Sequence, residues 1–158
     1  MTYLAIGNSL TSHGKCHYWW TECGMAATDL RHDYVHLVTE GLRQTHPGEE
    51  VTVTTVNFIK WEATQERTAV YTVIDPMLAA GPDLITVQLG ENLGDDFSDT
   101  VEDDYVALLR HIQAACPNAK ILMLDDVWNE RRSAIRRRAA EICGIVFVPL
   151  LEAFDESC

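Results

Sequence analysis

Short apolar runs alternate along the chain with longer segments in which apolar residues recur every three or four positions. The short runs are rich in valine, isoleucine and leucine, a composition typical of strands in a parallel sheet. Five such runs predict strands over residues 3–6, 51–56, 84–89, 121–124 and 145–148. Because these runs are almost continuously apolar, we expect the strands to be buried on both faces of the sheet.

The longer segments have the 3.6-residue period of amphipathic helices. They predict helices over residues 30–44, 62–74, 100–115 and 130–143. We expect Thr28 to cap the first helix, Pro76 to follow the end of the second, and Gly144 to end the fourth. The first turn of the third helix is acidic, which suits the positive end of the helix dipole.

The alternation of strands and helices predicts a single α/β domain over residues 1–158, a three-layer α/β/α sandwich around a five-stranded parallel sheet. Right-handed crossovers favour the flavodoxin-like strand order 2-1-3-4-5. In that order the loops after strands 1, 2 and 3 meet at one edge of the sheet, where such sheets bind ligands. The polar residues of these loops are Asn8 and Ser9, then Asn57, and then Glu91 and Asn92.

The first of these loops, in the segment AIGNSLTSHG, presents a serine directly after a strand that ends in glycine. This pattern is found where a turn exposes a nucleophile or binds an anion, and also in ordinary turns. A serine hydroxyl attacks only when a base removes its proton and donors stabilise the oxyanion that forms. Backbone amides near Ser9 and the carboxamide of Asn92 are the candidate donors, and Gly90 lets the chain turn closely beside Asn92.

The blocks GNSLT at residues 7–11 and GEN at residues 90–92 resemble the first and third signature blocks of the SGNH, or GDSL-type, hydrolases. The order of the elements and the spacing of the blocks extend this resemblance over most of the chain. In that family the serine of the first block is the nucleophile, and the asparagine of the third lends its amide to the oxyanion hole. The resemblance therefore implies that Ser9 attacks an ester and that Asn92 stabilises the oxyanion. Three neighbouring residues are expected to bind substrate, namely Asn8, Asn57 and Glu91.

The second signature block differs from the family pattern. The family has a glycine after strand 2 whose backbone N–H joins the oxyanion hole, whereas this chain has Ile59 at about that place. Because any residue other than proline offers a backbone N–H, we expect the loss of glycine to be tolerated, with Asn57 as a further amide donor.

The last signature block, D-x-x-H, supplies the general base and its orienting acid beyond strand 5 in that family. We expect residues 1–158 to lack that segment. The residues after strand 5 with the same spacing are Asp155 and Cys158, and the thiol of Cys158 is a poor base for a serine. His13, four residues after Ser9, is an alternative base, although polar histidines in loops usually meet only solvent. A hydrolase without its base keeps some acceleration from its oxyanion site, so we expect low esterase activity.

Composition and charge narrow the class of ligand. The formal charge of −12 repels phosphate backbones and anionic lipids, so we expect a small ester as substrate and neither nucleic acid nor a membrane as partner. No run approaches the roughly 20 apolar residues of a membrane span, and we expect a cytoplasmic protein, with a homo-oligomer left open. The cysteines are expected to be reduced structural thiols: Cys16, Cys23, Cys116, Cys143 and Cys158.

Three groups of polar residues have both a functional and a plain interpretation. His32 and His36 have a spacing that suits zinc but no third ligand, and we expect them to face solvent. Basic residues of the last predicted helix are expected mostly to face water, or to balance acidic neighbours: Arg131, Arg132, Arg136, Arg137 and Arg138. Acidic residues after strand 3 lack the spacing of a calcium loop and are expected to be solvated: Glu91, Asp95, Asp96, Asp99, Glu102, Asp103 and Asp104.

The four tryptophans leave two interpretations open, walls of a ligand pocket or ordinary core packing. They are Trp19, Trp20, Trp61 and Trp128.

The sequence thus predicts a serine esterase of the SGNH type that needs no cofactor, with the O-acetyl groups of carbohydrates as one substrate class. A second hypothesis is a binding or interaction module that keeps the fold and the pocket but lacks the general base. A third is a flavodoxin-like binder of a nucleotide or flavin. The first loop disfavours it, because it lacks the several serine, threonine and glycine residues that cradle a phosphate.

Overall fold

A computed structural model describes residues 1–25, 27–94, 96–98 and 100–150 of the chain. Its strands are β1 Thr2–Gly7, β2 Thr52–Asn57, β3 Leu84–Gln88, β4 Lys120–Leu124 and β5 Val146–Val148. They form one parallel sheet in the order β2-β1-β3-β4-β5, which confirms the predicted order. Gly7 pairs with Asn57 on one side and with Gln88 on the other, so the three strands end level at the same edge.

Helices cover both faces of the sheet. They are α1 Tyr34–Thr45, α2 Ile59–Ala63, a 3₁₀ segment Arg67–Val73, α3 Asp75–Ala79, α4 Val101–Ala115 and α5 Glu130–Cys143. Successive residues of a strand point to opposite faces. Leu4 and Ile6 accordingly join the larger core beneath α3, α4 and α5, while Tyr3 and Ala5 pack on the side of α1. This arrangement confirms the predicted three-layer α/β/α sandwich.

The first predicted helix starts later than expected. Its N-cap is Asp33 and not Thr28, because the Asp33 carboxylate accepts the backbone N–H of His36 at 2.7 Å. The same carboxylate accepts the N–H of Gly24 at 2.9 Å, which fixes the loop before the helix as well.

The predicted helix over residues 62–74 is wrong. Instead of one helix, the chain forms three short helical pieces over residues 59–79, namely α2, the 3₁₀ segment and α3. Pro76 lies in the first turn of α3, where a missing N–H leaves no hydrogen bond unmade. The third and fourth predicted helices correspond to α4 and α5, and α5 ends at Gly144, whose φ of 65° suits glycine.

The prediction that β2 is buried on both faces of the sheet is also wrong. Of its six residues only Val56 is buried, because β2 is an edge strand and its threonines lie at the surface. Central strand β3, by contrast, is buried along its whole length. Among the described residues, no helix is both long and apolar enough to cross a membrane.

Candidate functional site

The turn after β1 is built on a glycine that no other residue can replace without rearrangement. A Cβ on Gly7 would lie 1.8 Å from Thr11 Oγ1 and 2.6 Å from the carbonyl oxygen of Gln88. The backbone N–H of Asn8 donates to that Gln88 oxygen at 3.2 Å, and the carbonyl of Asn8 accepts the N–H groups of Thr11 and Ser12. One tight turn therefore places Ser9 at the carboxyl edge of the sheet.

Ser9 itself is partly exposed. Its carbonyl oxygen accepts the N–H of Met25 at 2.8 Å. Among the described residues, none forms a hydrogen bond with its hydroxyl or with its backbone N–H. Both polar groups are therefore available to a ligand.

Asn8 lies beneath this turn with no exposed surface. Its Oδ1 accepts the N–H of Leu10 at 3.0 Å, and its Nδ2 donates to Glu62 Oε1 at 2.9 Å and to Glu91 Oε2 at 2.6 Å. The side chain thus holds the turn from inside. This placement leaves no exposed atom for the substrate contact that the sequence predicts for Asn8.

Glu62, on α2, is the residue that sequence reasoning missed. It is 6% exposed, and its Oε1 accepts the backbone N–H of Gly90 as well as the Asn8 amide. Its Oε2 accepts the Asn92 Nδ2 at 2.5 Å. One carboxylate therefore joins the loop after β1 to the loop after β3. The available signal was an acid directly after the buried residue Trp61.

The loop after β2 uses its polar groups within the protein. Asn57 Nδ2 donates to the carbonyl of Ser12 at 2.7 Å, and its Oδ1 accepts the N–H of Ile59 at 3.1 Å. Asn57 is exposed. The backbone donor expected at Ile59 is thus already bound, and Asn57 ties the second loop to the first.

Glu91 is held by a buried arginine. Its Oε1 accepts Arg136 Nη2 at 2.6 Å, and Arg136 also donates to Asp126 and to the carbonyl of Leu124, both at 3.3 Å. Asp126 in turn accepts Arg132 Nε at 2.6 Å. Arg132 and Arg136 are 8% and 0% exposed, so they do not face water but balance acidic neighbours, the alternative that the sequence left open. Buried charges are costly unless they are paired, and the acids around these two arginines supply the pairs.

Gly90 lies against this buried charge. Its φ is 125°, and a Cβ there would lie 2.2 Å from Tyr105 Oη and 2.7 Å from Arg136 Nη2. Burial raises the pKa of Tyr105, so the phenol stays neutral and donates to the carbonyl of Leu89 at 2.7 Å. Burial lowers the pKa of Arg136, but the net shift is upward because of the carboxylates of Glu91 and Asp126, and the guanidinium stays charged.

None of the described histidines forms a hydrogen bond with Ser9. The Nδ1 of His13 lies 2.6 Å from the carbonyl of Gly14, and its backbone N–H donates to Cys23, closing the base of an excursion over residues 13–23. Asp155 and Cys158 lie outside the described residues.

A D-x-x-H spacing occurs at Asp33 and His36, whose carboxylate and Nδ1 are 2.7 Å apart. Tyr34 faces the serine turn through its hydrogen bond to Thr11, also 2.7 Å long. His36 is two residues further along the helix, about 200° around its axis, and so points away from that turn. This pair therefore caps α1.

A polar cavity of about 450 Å³ opens beside Asn92. Its walls include Glu62, Gln65, Asp96 and the ion pair of Arg67 with Asp104, whose Nη1 and Oδ2 are 2.6 Å apart. Hydrogen-bonding side chains therefore surround the space next to the predicted oxyanion donor.

The remaining candidate groups resolve individually. Trp61 is a core residue that packs on Tyr105, while Trp20 and Trp128 are exposed. His32 pairs with Asp29 at 2.7 Å. The solvated state expected of the acids is wrong for Glu91, whose side chain is 7% exposed and pairs with Arg136. Glu102 and Asp104 pair with arginines but stay partly exposed, while Asp95 and Asp99 lie outside the described residues.

No protein-family model matches the sequence, and no curated protein matches it. Solved structures do match. A two-domain esterase active on acetylated mannans gives a TM-score of 0.69 at 17% identity, over 96% of this chain and 37% of that one. AlinE4, an esterase of the SGNH-hydrolase family, gives 0.62 at 18% identity, over 99% and 79%. The psychrotrophic esterase EstA from a Pseudoalteromonas species gives 0.58 at 15% identity, over 94% and 76%.

At these identities the likeness establishes the fold, which is that of the SGNH hydrolases, as the sequence predicts. The chain spans 37% of the length of the two-domain esterase and 76–79% of the other two proteins.

Proposed function

We propose that this chain carries the acyl-transfer site of a serine ester hydrolase, with Ser9 as nucleophile and Asn92 as oxyanion donor. The observation that carries the proposal is the shared carboxylate of Glu62, which joins the Ser9 turn to Asn92 at the carboxyl edge of the sheet. The SGNH-hydrolase fold and the esterases that share it support the same reaction class.

Two donors are free to meet the oxyanion. The first is the backbone N–H of Ser9, which no described residue accepts. The second is the other N–H of Asn92 Nδ2, since Glu62 takes only one of the two amide hydrogens. Donors that are fixed before the reaction stabilise developing charge at little reorganisation cost.

The reaction balances as an ordinary acyl transfer. Ser9 Oγ bonds to the acyl carbon while its proton passes to solvent water, and the carbonyl electron pair moves onto the oxygen that the donors hold. The tetrahedral intermediate then expels the alkoxide, which takes up a proton from solvent. Water attacks the acyl-serine in the same way, a proton passes through solvent to the departing Ser9 Oγ, and the acid is released.

Turnover by this chain is expected to be slow. No described histidine forms a hydrogen bond with Ser9, so its proton is left to solvent. Serine hydrolases deprived of their base still accelerate hydrolysis by about 10³–10⁴-fold over water through the oxyanion site and binding.

We propose that the substrate is a small, uncharged ester whose alcohol part carries further hydroxyl groups. The cavity beside Asn92 offers amide, carboxylate and guanidinium groups that suit hydroxyls, and one protein of the same fold acts on acetylated mannans. The net charge of −12 disfavours anionic substrates, nucleic acids and anionic membranes. A cytoplasmic location is supported by the free thiols of Cys16, Cys23, Cys116 and Cys143.

A fluorophosphonate probe tests the nucleophile, because it labels only a serine activated for attack. We expect labelling and p-nitrophenyl acetate hydrolysis to fall to background in Ser9→Ala. Ser12→Ala, which removes the next serine hydroxyl along the chain, should keep both. Equal labelling of the Ser9→Ala protein and the parent chain contradicts the proposal.

A binding module is the second candidate, and the absence of any described histidine against Ser9 favours it. Such a module leaves the probe unreacted in the parent chain, yet binds an acetylated oligosaccharide in calorimetry. Labelling that depends on Ser9 contradicts the module.

A further inference from the structure

We propose that Glu62 is a positioning residue of the hydrolase site, which fixes the Asn92 carboxamide and the Ser9 turn in one frame so that donor and nucleophile address the same acyl group. This inference rests on the proposed function. It adds a residue from α2, the short helix after β2, in which the sequence suggested Ile59.

The contacts of Glu62 are unusual for a buried acid. The side chain is 6% exposed, and its three hydrogen-bond partners among the described residues are the neutral N–H groups of Asn8, Gly90 and Asn92. The nearby guanidinium of Arg136 is bound to Glu91 and Asp126 instead. A buried carboxylate without a cation is costly for folding, so its presence needs a reason beyond packing.

Its effect on Asn92 follows from the chemistry of the two groups. A carboxylate only accepts, so the Asn92 side chain must turn its NH₂ group, and not its oxygen, toward Glu62. The second amide hydrogen then has a fixed direction. Asn92 is exposed, and without this contact its carboxamide is free to rotate in solvent.

Its effect on Ser9 passes through Asn8. The Asn8 amide spans Glu62 and Glu91, and its oxygen holds the N–H of Leu10, the residue after the nucleophile. The same Oε1 of Glu62 also accepts the N–H of Gly90, at the start of the loop that carries Asn92. The carboxylate of Glu62 therefore fixes the positions of both the turn that carries the nucleophile and the loop that carries the donor.

The test is a double-mutant cycle between Glu62 and Asn92 in the full chain. The readouts are p-nitrophenyl acetate hydrolysis and the rate of fluorophosphonate labelling, each separated into its saturating rate and its half-saturating concentration. We expect Glu62→Gln to lower the saturating rate by about 10–100-fold, less than the loss of about 10²–10³-fold caused by removing an oxyanion donor outright. KM should change by less than about twofold, because uniform binding is untouched.

The decisive comparison is with Asn92→Ala. If Glu62 acts through Asn92, the double variant Glu62→Gln/Asn92→Ala should be slowed by much less than the product of the two single losses, and the small remainder is its effect on the Ser9 turn. Glu66→Gln, an exposed acid four residues further along the chain, is the matched control and should leave both readouts unchanged. Losses that multiply, or a loss confined to KM, overturn the inference.

Folding is checked by circular dichroism. Where Glu62→Gln does not fold, Glu62→Asp keeps the buried charge but shortens its reach to Asn92, and it enters the same cycle with the same expected non-additivity. Failure of the proposed function is distinguishable, because it shows as labelling and hydrolysis that do not depend on Ser9. A cycle that is additive while Ser9 remains essential overturns the role of Glu62 alone.

Discussion

At the scale of single residues, Asn8 shows why an amide follows Gly7. The side chain lies between the carboxylates of Glu62 and Glu91 and donates to both. An acid at this position would have no hydrogen to offer and would add a third negative charge to a buried site.

Asn8→Asp should therefore lower the free energy of unfolding by about 3–5 kcal/mol at pH 7, the range for an uncompensated buried charge. Urea denaturation followed by circular dichroism measures it. Asn57→Asp makes the same change at an exposed residue and should cost less than about 1 kcal/mol. Similar losses for the two variants contradict this account.

Gly90 provides the second residue-scale prediction. Gly90→Ala places a Cβ 2.2 Å from Tyr105 Oη and 2.7 Å from Arg136 Nη2, in addition to the strain of its φ of 125°. We expect a loss of about 3 kcal/mol or more in urea denaturation, since strain and overpacking add. Gly48→Ala also has a positive φ, of 91°, but meets open space, so it should cost about 1–2 kcal/mol. Equal losses count against the close contacts.

The positions of Ser9 and Asn92 could be predicted because short motifs at strand ends carry them. Glu62 could not, because its role depends on contacts with Asn8, 54 residues away, and with Asn92, 30 residues away. Nothing in the local pattern of α2 encodes those distances.

At the scale of elements, α5 combines a helix pattern that is easy to recognise with an interior that is not. Its bounds match the prediction because Asn129 caps it and Gly144 ends it. Two of its arginines, Arg132 and Arg136, are buried although charged side chains usually face water. Asp126 and Glu91, from the loops after β4 and β3, pair with them. The broken region over residues 62–74 escaped prediction for a similar reason, since an apolar period does not reveal where a helix changes its pitch.

Arg136→Met tests the buried pair. We expect a loss of about 3–5 kcal/mol in unfolding free energy, because the change leaves Glu91 and Asp126 without their shared cation. Arg138→Met removes an exposed arginine that pairs with Glu102, and such pairs contribute at most about 1 kcal/mol. The two variants are compared by urea denaturation at low salt, because urea is uncharged and does not screen ion pairs as guanidinium chloride does. A variant at Arg136 as stable as the one at Arg138 contradicts the buried network.

At the scale of the whole molecule, the order of the sheet followed from few rules. Right-handed crossovers and short connections leave few arrangements of five parallel strands, and the observed order is the flavodoxin-like one. The edge position of β2 followed from the same order, but its exposure had to be read from the structure, because three of residues 51–56 are threonines, which fit either environment.

The whole chain also shows how its longest connection is fastened. Between β1 and α1 it is anchored by the carbonyl of Ser9, the carboxylate of Asp33 and the amide of Asn57, while the excursion over residues 13–23 closes on itself where His13 meets Cys23. Lengthening a loop closed at its base costs little. Insertions, deletions and substitutions within residues 13–23 should therefore be tolerated, because the turn that carries Ser9 keeps its shape. Related sequences can vary in this excursion at little cost to folding.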